Sequence, residues 1–181
     1  MIIVIRVDAS LNVGTGHCYR MLTLAHELEK RNHRVIFFCR KLHGNLIDKI
    51  KKHFLVVELP APTSKKNLHH NYLDWLEVEY KDEISEVKSE LKLLELWVDR
   101  LIIDHYSIDY EWHREIRDSV GNIIQIDDLD NRRYECDVII DQNFYFDVDR
   151  YKSNTSSKAQ IFCGPEYAML RSVFVNQRKT L

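Results

Sequence analysis

Short runs of branched apolar residues alternate with amphipathic stretches along most of the chain, and this alternation limits the fold more than any other feature. Residues 1–7 (MIIVIRV) form an Ile/Val-rich run that ends at Asp8 and a glycine-bearing loop, the pattern of a central strand buried on both faces. Residues 17–31 then carry Cys18, Met21, Leu22, Ala25 and Leu28 along one side of a helix. Further strands are expected at 34–39 (RVIFFC), 54–59 (FLVVEL), 101–104 (LIID), 122–126, 137–140 and 161–163. Helices are expected at 45–52, at 82–98 with Ile84, Val87, Leu91, Leu94 and Val98 on one side, and at 169–177. Another runs through Ile108, Trp112 and Ile116 and is closed by Gly121. Residues 63–72 and 145–157 are polar and read as loops. Strands that alternate with helices imply an α/β fold, a doubly wound parallel sheet covered on both faces, in one domain spanning 1–181.

Composition excludes several functions. Lys and Arg number 26 against 28 Asp and Glu, a net charge of −2, so the chain has no broad basic footprint for nucleic acid. Cys18, Cys39, Cys136 and Cys163 lie far apart and are expected as buried free thiols in a reducing cytoplasm. Arg6 and Asp8 interrupt the first apolar run, so it is not a secretory signal, and no run approaches the roughly 18 apolar residues of a membrane span.

Sheets of this kind bind ligands beyond the carboxyl ends of their strands. The chemistry-bearing residues fall at those ends: residues 8–17 after the first strand, Asp104, His105 and Tyr106 after the fourth, and Asp127 and Asp128 after the fifth. Gly14 and Gly16 permit close backbone approach to a ligand, and the following helix N-terminus suits an anion. A dinucleotide fingerprint would need glycine where Tyr19 stands and an acid where Arg40 and Lys41 stand, so no such cofactor is expected. His17 falls in the first turn of the helix, where the helix dipole disfavours imidazolium. A neutral imidazole there suits a general base; the alternative is a histidine that caps the helix or bonds a loop carbonyl. Asp104 either positions a ligand hydroxyl and orders the His17 loop, or caps the next helix in competition with Ser107 and Asp109. Asp127 and Asp128 read as a solvated turn or a helix cap rather than a cation site. The remaining histidines lack metal-ligand spacing, so no metal is expected. Trp75, Trp97 and Trp112 read as core, and the charges at 77–83 and 31–34 as solvated faces.

Four segments carry a family resemblance: RVDASLNVGTGHCYRMLTLAHEL at 6–28, IIDHYSID at 102–109, QIDDLDNRRYECDVIIDQN at 125–143 and CGPEYAMLRSVF at 163–174. Together they resemble the UDP-sugar hydrolases of the pseudaminic acid pathway; spore-coat polysaccharide proteins share much of the pattern. The resemblance implies the Rossmann-like N-terminal half of a glycosyltransferase-B-like fold. It also implies hydrolysis of UDP-2,4-diacetamido-2,4,6-trideoxy-β-L-altropyranose by water attack at the anomeric carbon, without a metal. The family's active-site histidine falls on His17 through the GTGH match, and its tyrosine on Tyr106 through the DHY match. Asp8, Gly14, Gly16, Arg20, Asp104, His105 and Tyr106 are then expected to contact substrate. Family members continue into a second Rossmann-like domain that holds most of the uridine and diphosphate. This chain is therefore expected to need that domain, or a separate partner chain, for full activity. Two other readings stand beside this one: a glycosyltransferase of the same fold, and a non-catalytic half that pairs with another chain.

Overall fold

The computed structural model describes residues 1–63, 72–144 and 149–170. Residues 64–71 of the loop expected at 63–72, His69 and His70 among them, and most of the expected helix at 169–177 lie outside the described residues. In chain order the elements are β1 (Ile2–Val7), α1 (Gly16–Lys30), β2 (Arg34–Arg40), α2 (Ile47–Ile50), β3 (Leu55–Leu59), α3 (Tyr80–Leu93), β4 (Val98–Asp104), α4 (Tyr110–Ile116), β5 (Val120–Ile126), β6 (Val138–Asp141) and β7 (Gln160–Cys163). Short 3-10 turns occupy Tyr72–Leu76, Arg117–Ser119 and Pro165–Tyr167. The strands form one seven-stranded sheet in the order β3-β2-β1-β4-β5-β6-β7. Every pairing is parallel, so the expected Rossmann-like α/β architecture is present.

The order explains where a ligand can enter. The chain builds outward from β1 to β3, then returns to lay β4 against the other side of β1. The connections leaving β1 and β4 diverge at their carboxyl ends, which opens a crevice at the switch point. Val7 is in register with Asp104, so the last residues of both strands reach that edge together.

Strand alternation sorts the core into two faces. Ile3, Ile5 and Val7 of β1 pack with Cys18, Met21 and Ala25 of α1 and with Ile47 and Ile50 of α2. Val4, Leu101 and Ile103 pack on the other face with Val87 and Leu91 of α3 and with Trp112 and Ile116 of α4. Arg6 follows Val4 on the α3 face, and Arg40 follows Ile36 and Phe38 in the same way. Both arginines are fully buried, because α3 supplies Glu83 between them. Arg6 donates to Glu83 at 2.8 and 3.2 Å, and Arg40 bonds Glu83 as well as Glu86 at 2.6 Å. Asp8 joins the network, 2.7 Å from Arg6 and accepting the Arg40 backbone N–H at 2.7 Å.

Several expectations needed correction. Glu83 is a buried counter-ion and not part of a solvated face. The helix expected to run to Val98 stops at Leu93; Glu95 takes a left-handed turn (φ 51°), and Val98 opens β4 beside Val120. Gly121 does not close a helix. It is the second residue of β5, where a Cβ would meet the Asp99 carbonyl oxygen of β4 at 2.6 Å. Of the three tryptophans only Trp112 is core; Trp97 is 59% exposed. Cys18, Cys39 and Cys136 are buried free thiols as expected, and Cys163 is half-buried. Among the described residues no helix is long and apolar enough to cross a membrane.

Gly121→Ala should destabilise the chain by about 1–3 kcal/mol, because overpacking against backbone forces the β4–β5 pairing apart; chemical denaturation measures it. His113 is fully buried, accepts the Glu135 N–H at Nδ1 (3.2 Å) and donates from Nε2 to Gln125 (3.0 Å), so it is held neutral. Burial pushes its pKa down to about 4, against partial support from Gln125. The unfolded chain takes up that proton from about pH 6.5 downward. Stability should therefore fall as pH drops from about 6.5 toward 4, by an increment that His113→Gln removes.

Candidate functional site

Ser10 shapes the loop between β1 and α1. Its hydroxyl accepts the N–H groups of Asn12 and Val13 at 3.1 and 3.0 Å, and its carbonyl accepts the Gly14 N–H at 2.9 Å. Gly14 turns the chain with φ +78°, a conformation costly for residues with a Cβ. At Gly14 and Gly16 an added Cβ would meet nothing within 4 Å, so the space beside both lies open. Helix α1 then begins at Gly16 behind Thr15, whose side chain makes no capping bond.

His17 stands in the first turn, as expected, and is only 8% exposed. Its Nδ1 lies 2.5 Å from Asp104 Oδ1. A carboxylate at that separation accepts a hydrogen bond from Nδ1, so in the neutral ring the lone pair is on Nε2. Arg20, three residues along the same helix face, donates to both Asp104 oxygens at 2.6 and 2.5 Å. Burial alone would push the Asp104 pKa up; its interactions with His17 and Arg20, hydrogen bonds among them, overcome it and hold the acid near 2. Asp104 is therefore no helix cap. Asp109 takes that role for α4, accepting the Glu111 N–H at 3.0 Å.

Tyr106 lies beside this pair, its ring edge-on to His17 at a centroid distance of 4.7 Å. Trp75 stacks on Tyr106 at 5.4 Å and stands edge-on to His17 at 6.2 Å, and Tyr72 packs against both Trp75 and Tyr106. The Tyr106 hydroxyl donates to Asp128, whose other oxygen is 3.6 Å from Arg20. His17, Asp104, Arg20, Asp128 and Tyr106 thus close into a ring of contacts at the switch-point edge.

Of the residues expected from sequence, His17, Arg20, Asp104 and Tyr106 are brought together at the crevice, with Gly14 and Gly16 on its rim. Asp8 and His105 lie in the layer beneath. Asp8 is 1% exposed, and the neighbouring Arg6 charge overrides burial to hold its carboxyl far below the usual range. His105 accepts the Ser107 N–H at Nδ1 (3.1 Å), points Nε2 toward Asp8 at 3.4 Å, and burial lowers its pKa. Sequence reasoning missed Trp75, Tyr72 and Asp128. Asp127 caps the local backbone, its Oδ2 accepting the Leu129 and Asp130 N–H groups at 3.0 and 2.9 Å, but it is not solvated: it is 1% exposed, bonded to Arg132 at 2.7 Å and to Tyr151 at 3.0 Å. Its position at the end of a strand was the available signal.

Fold and site together define a Rossmann-like α/β domain with a histidine–carboxylate pair at the carboxyl edge of its sheet. No family model matches the chain. It is 31% identical over 180 residues to the UDP-2,4-diacetamido-2,4,6-trideoxy-beta-L-altropyranose hydrolase of Campylobacter jejuni, covering 99% of this chain and 55% of that protein. The match fits an N-terminal domain of that hydrolase type. The chain is also 27% identical over 185 residues to an uncharacterised protein of Methanocaldococcus jannaschii, covering 100% of this chain and 33% of that one. It therefore spans 55% and 33% of the lengths of these two relatives.

Removing the Asp104 charge should expose its weight in the fold. Asp104→Asn keeps the shape but leaves Arg20 without its buried counter-charge, at a cost of about 3 kcal/mol at neutral pH. The folded pKa of Asp104 is depressed, so its contribution is complete above about pH 4 and disappears as pH falls toward 2. Urea denaturation of the two proteins should differ at pH 7 and converge below pH 4.

Proposed function

We propose that this chain supplies the sugar-side half of a UDP-sugar hydrolase acting on UDP-2,4-diacetamido-2,4,6-trideoxy-β-L-altropyranose. The observation that carries this reading is the 2.5 Å bond between His17 Nδ1 and Asp104 at the switch-point crevice. A histidine held in this way presents a basic Nε2, and the carboxylate behind it steadies the imidazolium that forms when a proton is taken. His17 Nε2 removes a proton from water while the water oxygen attacks the anomeric carbon. The bond between that carbon and the diphosphate oxygen breaks, and its electron pair leaves with UDP. The products are UDP and the free sugar. Arg20 holds Asp104, and Tyr106 orients the reacting groups. Open space beside Gly14 and Gly16 lets the backbone at the start of α1 approach the ligand. The likeness to the longer Campylobacter hydrolase supports a second domain, or a partner chain, that grips the uridine and diphosphate.

The test is NMR product analysis on the UDP-diacetamido sugar, with the chain alone and with the C-terminal portion of the Campylobacter hydrolase added. The chain alone should turn over little, since misplacing the leaving group by about an ångström is costly. The assembled halves should release UDP. His17→Ala should lower that release by about 10²–10⁴-fold, the usual weight of a general base. Undiminished release by His17→Ala removes the general-base role. Release that depends on an added sugar acceptor would indicate a glycosyltransferase instead.

A further inference from the structure

Asp128 is the member of the ring that neither the resemblance nor the proposed reaction uses. It follows β5, while Tyr106 follows β4, and the Tyr106 hydroxyl donates its proton to Asp128 Oδ1. A phenol has one proton to give and two lone pairs to offer. Once the proton is spent on Asp128, the oxygen can act toward the crevice only as an acceptor.

We propose that Asp128 is a positioning residue that fixes Tyr106 as a hydrogen-bond acceptor facing the reacting groups. The inference rests on the hydrolase reading and deepens it. The chemistry recognised is a hydrogen-bond donor. Two sources are available: the second O–H of the attacking water, whose first proton goes to His17, or an amide N–H of an acetamido substituent on the sugar. Keto and ester substituents, which only accept, would be rejected because they leave the phenol oxygen facing a second acceptor.

The surroundings of the phenol support this assignment. Burial first, then the Asp128 hydrogen bond and charge, raise the Tyr106 pKa well above the usual tyrosine value. The hydroxyl therefore keeps its proton throughout the working range. Asp104 acts in the same direction and Arg20 opposes it. The Arg132 guanidinium lies 5.9 Å over the ring, and His17 meets the ring edge-on. Trp75 and Tyr72 pack against the ring, so its tilt is set by aromatic contacts and its hydroxyl direction by Asp128.

Asp128→Ala and Tyr106→Phe, singly and together, test the proposal in two ways. In the chain itself, 13C NMR of labelled tyrosine, with Tyr106 assigned by its loss in Tyr106→Phe, should show the Tyr106 midpoint falling by about one pH unit or more in Asp128→Ala. An unmoved midpoint overturns the proposal. In the assembled hydrolase, Asp128→Ala, which removes the acceptor, should lower UDP release about tenfold or more, and should add nothing in the Tyr106→Phe background. An equal loss in that background means that Asp128 acts elsewhere, which also overturns it. A loss in kcat identifies water as the donor, and a rise in KM identifies the amide. No UDP release by the unmodified assembly would defeat the hydrolase reading, a different outcome from any of these, and the tyrosine titration would still decide whether Asp128 controls the phenol.

Discussion

The carboxylate of Asp104 is the interaction on which the arrangement at the crevice depends. It sits at the last position of β4, 1% exposed, where an ionised acid persists only if hydrogen-bond donors and opposite charge replace its lost hydration. Both partners come from α1, His17 and Arg20, three residues apart and so on one side of the helix. Turning α1 about its axis would break both contacts at once. The acid therefore fixes the helix rotation as well as the imidazole, and with it the direction of the free ring nitrogen. The parallel register of Val7 with Asp104 is what brings the strand end within reach of the helix start.

Beneath this site lies a second charged layer, and the period of two separates them. Ile102 and Asp104 point to the α1 side of the sheet, while Ile103 and His105 point to the α3 side. On β1, Val7 faces α1, and Arg6 and Asp8 belong to the network with Glu83 of α3. Consecutive residues of one short motif thus divide their work: Asp104 holds the site, His105 joins the supporting layer, and Tyr106 reaches the crevice. That layer is costly to bury; its arginines and acids are paired through contacts of 2.7–2.8 Å, while Asp8 Oδ2, Arg40 Nε and His105 Nε2 make no hydrogen bond among the described residues.

The same alternation sets how much of this was legible in the sequence. The β-runs and the face of α1 were readable because apolar periodicity reports which side is buried, and the GTGH and DHY segments could be placed at strand ends for that reason. Applied one residue further, the alternation would have put Asp8 and Asp104 on opposite faces of the sheet, and so distinguished support from site. Glu83 was not legible, because a helical acid looks solvated until a strand is known to present arginine to it. Val98 continued the apolar spacing of α3, and only the left-handed turn at Glu95 moved it into β4. Trp75 and Asp128 were missed for a related reason. Their partners, Tyr106 and Arg20, are distant in sequence, and pairwise contacts across a sheet edge leave no periodic trace.

The charge of the ring also limits what it can bind. Asp104 and Asp128 carry two negative charges, and Arg20, the one guanidinium in the ring, already contacts both. A diphosphate brought here would find the cation committed and two carboxylates nearby, with mutual repulsion little screened at such short range. On the proposed reading the ring suits the uncharged sugar and the incoming water. The leaving group must then be met outside it, by the open N-terminus of α1 at Gly16 or by a second domain. Such a division fits a site whose catalytic half is already organised without its partner, because every side chain in the ring takes its orientation from another member of the same ring.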